Sequence, residues 1–280
     1  MLLSSFCHIP TIGRSTEDKI WENGVFTHED FIDSPPSFIK ENKKRHIIKH
    51  LEISKKELRQ KNPLYFAENL PSSQHWRIFK EYENSSVYLD IETTGLGNYG
   101  DIITTIALYD GREVKYYVNG ENLDEFVKDI FNYNVIISYN GKTFDIPFIE
   151  RFFEIKLDHT HLDLRYILSA LGFSGGLKSC EEKLGIGRKD GYEDIDGYFA
   201  VVLWQYYKKT KDIKALETLL SYNIEDVLNL DYLMREAYNR NISLLSLQTN
   251  PVPLKKKAEN PLKADFGLVS FLKKRVCHSY

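Results

Sequence analysis

A β-strand pattern runs through Ser85-Ser-Val-Tyr-Leu-Asp-Ile-Glu-Thr-Thr-Gly-Leu96 and turns at its glycine. Apolar residues alternate with Tyr88, Asp90 and Glu92, and a period of two places both carboxylates on one face of the strand. Two such carboxylates repel each other unless a cation lies between them, and Mg²⁺ and Mn²⁺ prefer oxygen ligands. An antiparallel strand with one hydrated face shows the same alternation, so this stretch alone leaves a metal site and a plain sheet surface both open.

Length and composition are typical of a globular protein that consists of a medium-sized domain with additional segments. The chain has 280 residues, of which 42% are hydrophobic and 28% charged. No apolar run approaches the roughly 20 residues that a membrane-spanning helix needs. The N-terminal stretch lacks the basic region and long apolar core of a secretory signal peptide. We therefore predict a cytoplasmic protein without a membrane segment.

The formal net charge of −3 does not by itself indicate a nucleic-acid-binding protein, because such domains often carry a basic stripe. An enzyme that gathers acids around cations has negative charge of its own, and local basic patches still attract a polyanion. Two basic clusters are present: Lys43, Lys44, Arg45, Lys49, Lys55 and Lys56, and Lys255, Lys256, Lys257, Lys263, Lys273, Lys274 and Arg275. Each cluster fits either guidance of a polyanion or an ordinary solvated helix face or tail.

Neither a disulfide framework nor a zinc site is expected. Cys7, Cys180 and Cys277 are widely separated and form no Cys-x-x-Cys pair, which predicts free thiols. The stretch His159-Thr-His-Leu-Asp163 offers two histidines but no further nitrogen or sulfur ligand in evident reach. We therefore expect these histidines to have structural roles.

Residues 1–33 predict two short helices around a tight turn from Pro10 to Gly13. This segment resembles a helix-hairpin-helix unit, in which backbone N–H groups at a helix start bind a phosphate. Thr11 stands where that pattern usually has its first glycine, so a plain packing module remains the alternative. Residues 34–85 then read as a basic helical linker, which begins at a Pro-Pro pair.

After the first strand, the sequence predicts a compact α/β core. A second strand from Ile102 to Tyr109 and a third from Glu113 to Val118 flank the turn signal Asp110-Gly111, which predicts an antiparallel meander. Apolar residues at helical spacing between Leu123 and Phe131 then lead to a buried strand from Val135 to Tyr139. This order of elements matches the ribonuclease-H-like arrangement, a mixed sheet flanked by helices whose site lies at the ends of the central strands.

Three more candidate site residues follow in the chain. Asp145 lies at a predicted strand-to-helix junction, where an aspartate often serves as an N-cap instead. Tyr222 and Asp226 are four residues apart in a predicted long helix and share one face. Glu225 adjoins Asp226 but points about 100° away around the helix, so we expect it to be solvent-exposed.

The ordered motifs resemble the three exonuclease motifs of the DEDDy branch of 3′-to-5′ exonucleases. These are Asp-x-Glu on the first strand, Asn-x-x-x-Phe-Asp after a later strand and Tyr-x-x-x-Asp on a late helix. Further stretches resemble the YprB-type ribonuclease-H-like exonuclease family: Asp90-Ile-Glu-Thr-Thr-Gly-Leu96, Tyr139-Asn-Gly-Lys-Thr-Phe-Asp-Ile-Pro-Phe148, His161-Leu-Asp-Leu-Arg165, and Gly176-Leu-Lys-Ser179 before Leu184-Gly-Ile186. The resemblance implies an exonuclease domain over residues 86–240, followed by a basic tail over residues 241–280.

The resemblance also implies a mechanism and a set of site residues. Such enzymes hydrolyse phosphodiester bonds with two divalent cations, Mg²⁺ or Mn²⁺, about 3.5 to 4 Å apart. By motif, Asp90 would bridge the cations, Glu92 and Asp226 would complete the site on the nucleophile side, and Asp145 would hold the second cation. Tyr222 would position the attacking water, because a phenol with a pKa near ~10 is a poor base at neutral pH.

Six residues near these motifs are candidates for contact with the substrate. Backbone contacts and an apolar wedge at the terminal base are expected from one group, and phosphate and sugar contacts from the other. The groups are Thr93, Thr94 and Leu96, and Asn140, Lys142 and Phe144. A packing role is an equally open alternative for each of them.

The sequence therefore favours a metal-dependent 3′-to-5′ exonuclease acting on single-stranded nucleic acid or 3′ ends. The resemblance favours DNA over RNA. Two alternatives stay open: a catalytically silent nucleic-acid-binding module, and a structure-specific endonuclease on the same fold. The intact set of five motif residues argues against the silent module.

Overall fold

In the computed structural model, which describes residues 1–187, 191–192 and 195–277, five strands form one mixed sheet. The strands are β1 (Ser86–Thr93), β2 (Ile103–Tyr109), β3 (Val114–Val118), β4 (Val135–Ser138) and β5 (Thr160–Asp163). Their order across the sheet is β3-β2-β1-β4-β5. The first three strands are antiparallel, whereas β4 and β5 run parallel to β1. This confirms the predicted α/β class and the predicted meander.

Helices cover both faces of the sheet. They are α1 (Arg14–Glu22), α2 (His28–Asp33), α3 (Glu41–Arg59), α4 (Pro63–Asn69), α5 (Phe79–Tyr82), α6 (Glu125–Ile130), α7 (Asp145–Phe153), α8 (Leu164–Ala170), α9 (Leu177–Lys183), α10 (Gly197–Thr210), α11 (Ile213–Ser243) and α12 (Phe266–Cys277). Short 3-10 turns lie at Leu2–Ser4, Ser72–Ile78 and Glu83–Ser85. None of the helices in the described part of the chain is both long and apolar enough to cross a membrane.

Strand β1 is the centre of the sheet and is covered on both faces. On one face, Val87 and Leu89 pack in an apolar cluster with Phe126 of α6 and Phe148 of α7. On the other face, Tyr88 packs in a second cluster with residues of α11. Because Asp90 and Glu92 share the Tyr88 face, they point toward α11, where Glu92 is buried and Asp90 is only partly exposed. The alternative of a plain hydrated sheet surface is therefore wrong.

The long helix α11 is fixed against β1 by a buried polar network as well as by apolar packing. The Tyr88 hydroxyl donates to Asp231 Oδ1 at 2.7 Å, and Arg235 Nε donates to the same oxygen at 2.8 Å. Arg235 also donates to Glu83 Oε1 at 2.5 Å. Such a network requires one alignment of helix and strand, since any slip would leave buried polar groups without partners. The alignment in turn sets which α11 side chains face Asp90.

The N-terminal segment differs from the predicted pair of helices around a turn. Only the 3-10 turn Leu2–Ser4 precedes Pro10, and α1 and α2 both follow it. A buried carboxylate explains the difference: Glu17 accepts the N–H groups of Phe6 (2.7 Å) and Cys7 (3.2 Å) and pairs with Arg77 at 2.7 Å. With its amides bound to a side chain, this stretch cannot form the helical hydrogen bonds of a first hairpin helix.

Residues on either side of the predicted nuclease domain pack into it. Phe66 and Trp76, from the stretch predicted as a linker, lie in the same apolar cluster as Tyr88. At the other end, Asn239 of α11 exchanges two hydrogen bonds with Val252, at 2.8 and 2.9 Å. Helix α12 packs through apolar residues against α10 and α11. The division of the chain near residues 33, 85 and 240 stays a prediction, and extensive contacts cross it.

Two of the three cysteines are buried and free, as predicted: Cys7 and Cys180. The side chain of Cys277 lies outside the described residues. Burial raises the pKa of the Cys7 thiol to about 12, so this thiol is unreactive at neutral pH.

We expect a pH-dependent loss of stability from the buried histidine His28. Burial lowers the pKa of His28 from 6.5 to about 4, so below pH 6.5 the unfolded chain binds a proton that the folded chain does not. Its Nε2 donates to the Ser5 carbonyl at 2.8 Å, and a glutamine amide can replace that donor. Unfolding free energies from denaturant titrations should therefore fall for the unmodified protein relative to His28→Gln as the pH is lowered from 6.5 to 4.

The exposed His46 of α3 provides the control. The His46→Gln variant should follow the unmodified protein throughout this pH range. A constant difference between His28→Gln and the unmodified protein at every pH would contradict the prediction.

Candidate active site

Three carboxylates meet where β1 passes under α11. Asp90 and Glu92 come from β1, and Asp226 comes from α11. One oxygen from each lies within 4.8 Å of the others. Glu92 and Asp226 are buried, whereas Asp90 is partly exposed. Among the described residues, no other group of three histidine, cysteine, aspartate or glutamate side chains brings its ligand atoms this close together.

A residue that the sequence did not reveal holds Asp90 in place. Asn223 is fully buried, and its amide donates to Asp90 Oδ2 at 2.6 Å. The amide oxygen of Asn223 accepts from the Thr105 hydroxyl of β2 at 3.1 Å. Asn223 lies three residues before Asp226 and shares its face of α11, so its spacing from a predicted site residue was the available signal.

Asp145 lies at the first residue of α7 and lines the same cleft, but it is not part of the three-carboxylate group. Phe144 is the N-cap and makes no side-chain capping bond, so the alternative of Asp145 as an N-cap is wrong. Burial raises the pKa of Asp145 to about 7, although the amides of Asp145 itself and of Ile91 oppose this shift. A nearby positive charge would stabilise the ionised form of this carboxyl group and lower its pKa again.

The electrostatics of the site fit a divalent cation. Burial raises the pKa of Asp90 well above its ordinary range, and the carboxylates of Asp226, Asp145 and Glu92 raise it further. The Asn223 amide only partly opposes this effect. Four acidic groups that disfavour each other's charge become mutually compatible when a cation lies among them, and carboxylate oxygens are the ligands that Mg²⁺ and Mn²⁺ prefer.

Tyr222 lies one helical turn before Asp226 and lines the cleft. The Lys178 ammonium of α9 lies 5.7 Å from the centre of its ring, in cation–π contact. The same ammonium donates to the Ile195 carbonyl. A positive charge is therefore held beside the phenol at the wall of the cleft.

The loop after β4 shapes the opposite wall. Asn140 has a φ of +66°, a left-handed conformation that asparagine tolerates. Asp163 accepts the N–H groups of Asn140 (2.8 Å) and Lys142 (3.1 Å). At Gly141 a Cβ atom would come within 2.8 Å of the Ser138 Cβ, so only glycine fits there. Asp163 therefore positions this loop.

The cleft has a volume of about 1220 Å³ and contains most of the predicted substrate residues. Those that line it are Thr93, Thr94, Leu96, Asn140 and Phe144. Lys142 lines a separate cavity of about 140 Å³ with His75 and Tyr166, so its side chain does not reach the predicted site. Sequence reasoning missed several further lining residues: Tyr139, Arg165, Phe173, Lys178 and Tyr198.

The threonines after β1 hold the loop together. The Thr93 hydroxyl donates to the Gly95 carbonyl at 2.6 Å, and the Thr94 hydroxyl accepts from the N–H of Ile102 at 3.0 Å. Leu96, by contrast, is 88% exposed at the edge of the cleft. The two threonine hydroxyls therefore stabilise the loop, whereas the exposed Leu96 side chain can contact a ligand.

A family model described as the RNase H superfamily matches residues 87–238. The chain belongs to this superfamily. The match confirms the predicted ribonuclease-H-like fold, and together with the acidic cluster it indicates a nuclease. Nucleases of this fold generally use divalent metal ions. The finer YprB-type and DEDDy assignments remain predictions.

A comparison of folds finds similarity to a solved structure of the family B DNA polymerase from the hyperthermophilic archaeon Pyrobaculum calidifontis. The TM-score is 0.34 and the sequence identity 15%. The similarity covers 56% of this chain and 29% of the polymerase chain. No curated protein sequence matches this chain.

We expect Mn²⁺ and Mg²⁺ to raise the melting temperature through the carboxylate cluster. A cation that binds only the folded state at 100 times its Kd stabilises it by about 2.7 kcal/mol. In Asp226→Asn, the loss of one repelling charge should raise the melting temperature without metal and greatly reduce the metal-induced increase. Thermal melts at neutral pH with metal or chelator measure both effects.

Glu217→Gln, on an exposed position of the same helix, is the matched control and should respond to metal as the unmodified protein does. An equal metal-induced increase in Asp226→Asn and Glu217→Gln would contradict this placement of the cation.

Asn223 should matter for metal affinity although it is not a ligand. In Asn223→Ala, Asp90 loses the donor that orients it, and loss of such a partner typically weakens metal binding by about 10- to 100-fold. The Thr105 hydroxyl also loses its acceptor, so the variant should be less stable by about 1 to 3 kcal/mol. Calorimetric titration with Mn²⁺, on protein shown to be folded by circular dichroism, measures the affinity. Unchanged affinity would show that Asn223 has only a packing role.

Proposed function

We propose that this protein is a metal-dependent 3′-to-5′ exonuclease of the DEDDy type, similar to the YprB family, that acts on single-stranded nucleic acid with DNA preferred over RNA. The observation that carries the proposal is the convergence of all five motif residues on one cleft. Asp90, Glu92 and Asp226 form a cluster there, and Asp145 and Tyr222 line the same space. The direction of cleavage and the preference for DNA rest on the motif resemblance.

The acidic residues and the tyrosine have distinct proposed roles. Asp90, Glu92, Asp226 and Asp145 would hold two Mg²⁺ or Mn²⁺ ions, which supply Lewis-acid activation of water and neutralise charge on the scissile phosphate. Tyr222 orients the attacking water through its hydroxyl, and it does not remove the proton itself because a phenol is too weak a base at neutral pH.

The dimensions and lining of the cleft suit a polymeric substrate. Its volume of about 1220 Å³ exceeds the ~300–1,000 Å³ of typical small-ligand pockets, which leaves space for more than a single nucleotide. Aromatic side chains such as Phe144 and Tyr198 offer faces on which unpaired bases stack. Arg165 and Lys178 supply positive charge for phosphates in an otherwise acidic site. A base-paired strand cannot present its bases to these rings, which favours single strands.

We expect stepwise shortening of single-stranded DNA from its 3′ end. Strands labelled at the 5′ or the 3′ end are incubated with Mg²⁺, Mn²⁺ or chelator, and matching RNA strands test the sugar preference. Asp90→Asn should lower the rate by at least about 100-fold, because it removes a charge from the metal site. Tyr222→Phe should lower it less, by up to about 100-fold, because only the orientation of the water is lost.

Other products would identify the alternatives. Cuts inside the strand would indicate a structure-specific endonuclease. Binding without cleavage under every metal condition would indicate a silent binding module. Glu217→Gln serves again as the control and should cleave at the unmodified rate, since its side chain is exposed on α11 outside the residues that line the cleft.

A further inference from the structure

The loop between β1 and β2 presents two large apolar side chains to solvent. Leu96 is 88% exposed and Tyr99 is fully exposed. Single exposed apolar residues are common on protein surfaces. Two of them within four positions, on a loop whose Leu96 lines the acidic cleft, instead suggest a surface for base contact.

The exposure of Tyr99 is imposed by the loop structure. Asp101 Oδ2 accepts the N–H groups of Gly97 (2.9 Å) and Asn98 (2.7 Å), and the N–H of Thr94 donates to the Ile102 carbonyl at 3.0 Å. These bonds close the loop through its backbone and one carboxylate, without any contribution from the tyrosine. The loop thus holds the ring outward with its faces available.

This loop lies between two separate depressions. Its first half, through Leu96, lines the active-site cleft. Its second half, residues 97–101, lines an outer groove of about 360 Å³ together with Phe148, Arg151 and Phe152. The loop therefore forms a partition with the cleft on one side and the outer groove on the other.

The outer groove has its own chemistry for nucleic acid. The exposed Arg151 guanidinium lies 4.7 Å above the ring centre of Phe148. Phe148 packs in turn against Phe144, with 5.8 Å between ring centres, and Phe144 lines the cleft. A guanidinium binds phosphate, and an aromatic surface accepts a base. Phe144 and Phe148 thus form one aromatic layer that reaches both the cleft and the outer groove. Arg165 and Lys178 supply positive charge in the cleft, and Arg151 supplies it in the groove.

We propose that this loop separates the strands at a duplex end, with the 3′-ending strand in the cleft, its complement in the outer groove, and Tyr99 stacked on the last intact base pair. The inference rests on the proposed exonuclease function and names a substrate class for the same site, namely duplex ends that the protein opens. Stacking of a base on one aromatic ring and the opening of one terminal base pair are similar in free energy, so one tyrosine is sufficient to shift this equilibrium.

Cleavage rates provide the first test. A labelled strand is offered alone and as a blunt duplex with its complement, to the unmodified protein and to Tyr99→Ala and Arg151→Gln. The Tyr99→Ala rate should fall about tenfold on the duplex, the effect expected from loss of one stacked base, and should change by less than about twofold on the single strand. Arg151→Gln should lower the duplex rate in the same selective way.

Tyr116→Ala is the matched control, since Tyr116 is a partly exposed tyrosine (37%) on β3 that lines neither depression. Its rates on both substrates should equal those of the unmodified protein. Equal loss on single strand and duplex in Tyr99→Ala, or no loss on either, would overturn the proposal.

A second measurement does not depend on cleavage. Asp90→Asn is bound to a duplex that carries a fluorophore on one strand and a quencher on the other at the same end, so that fluorescence reports separation of the two strands. Fluorescence should rise on binding, and the rise should disappear when Tyr99→Ala is added to the same protein. If fluorescence rises but no strand is ever shortened, the exonuclease function fails and the strand-opening role stands. If single strands are shortened but fluorescence stays constant, the strand-opening role alone fails.

Discussion

Repulsion among buried acids is the constraint on which this structure depends. Asp90 and Glu92 lie on the central strand, and Asp226 lies on the helix that packs against it. The folded structure therefore brings three carboxylates together despite their mutual repulsion. The apolar clusters on both faces of β1 offset this repulsion, because they bury large side chains of the sheet and of the helices that cover it. The polar contacts of Tyr88 and Arg235 with Asp231 add specificity, since they fix how α11 lies on β1.

Segments before and after the matched residues 87–238 also compensate buried charges. Glu225 adjoins Asp226, and the expectation that it is solvent-exposed is wrong: it is 1% exposed and pairs with Lys257 of the C-terminal segment. Without that lysine, a further buried negative charge would lie beside the cluster of Asp90, Glu92 and Asp226. The C-terminal segment thus neutralises an acid that the helix alone could not accommodate. A comparable buried pair, Glu17 with Arg77, ties the N-terminal segment to the chain that leads into β1.

Sequence patterns predicted which side chains share the cleft better than they predicted the contacts around those side chains. A period of two placed Asp90 and Glu92 on one face, and ordered motifs added Asp145, Tyr222 and Asp226, because these features depend on local geometry and on chain order. The burial of Glu225 depends on which distant segment covers α11, and helical spacing contains no information about that. The first helix of the N-terminal hairpin was predicted wrongly because the side chain of Glu17 binds its amides, and Glu17 is in turn paired with the distant Arg77.

The carboxylates Asp90 and Glu92 and the solvent-facing loop belong to one continuous stretch of chain. Register between β1 and β2 shifts at a bulge between Glu92 and Thr93, immediately where the acidic strand becomes the loop. Bulges bend a strand and increase its local twist, and here the loop beyond is closed by the carboxylate of Asp101. The loop hydrogen bonds therefore set the positions of Leu96 and Tyr99 relative to Asp90 and Glu92 on β1. If the strand-opening surface lay on a separate segment, the distance between the opened base pair and the cleaved bond could vary. Because this loop directly continues the strand that carries Asp90 and Glu92, we expect that distance to stay constant.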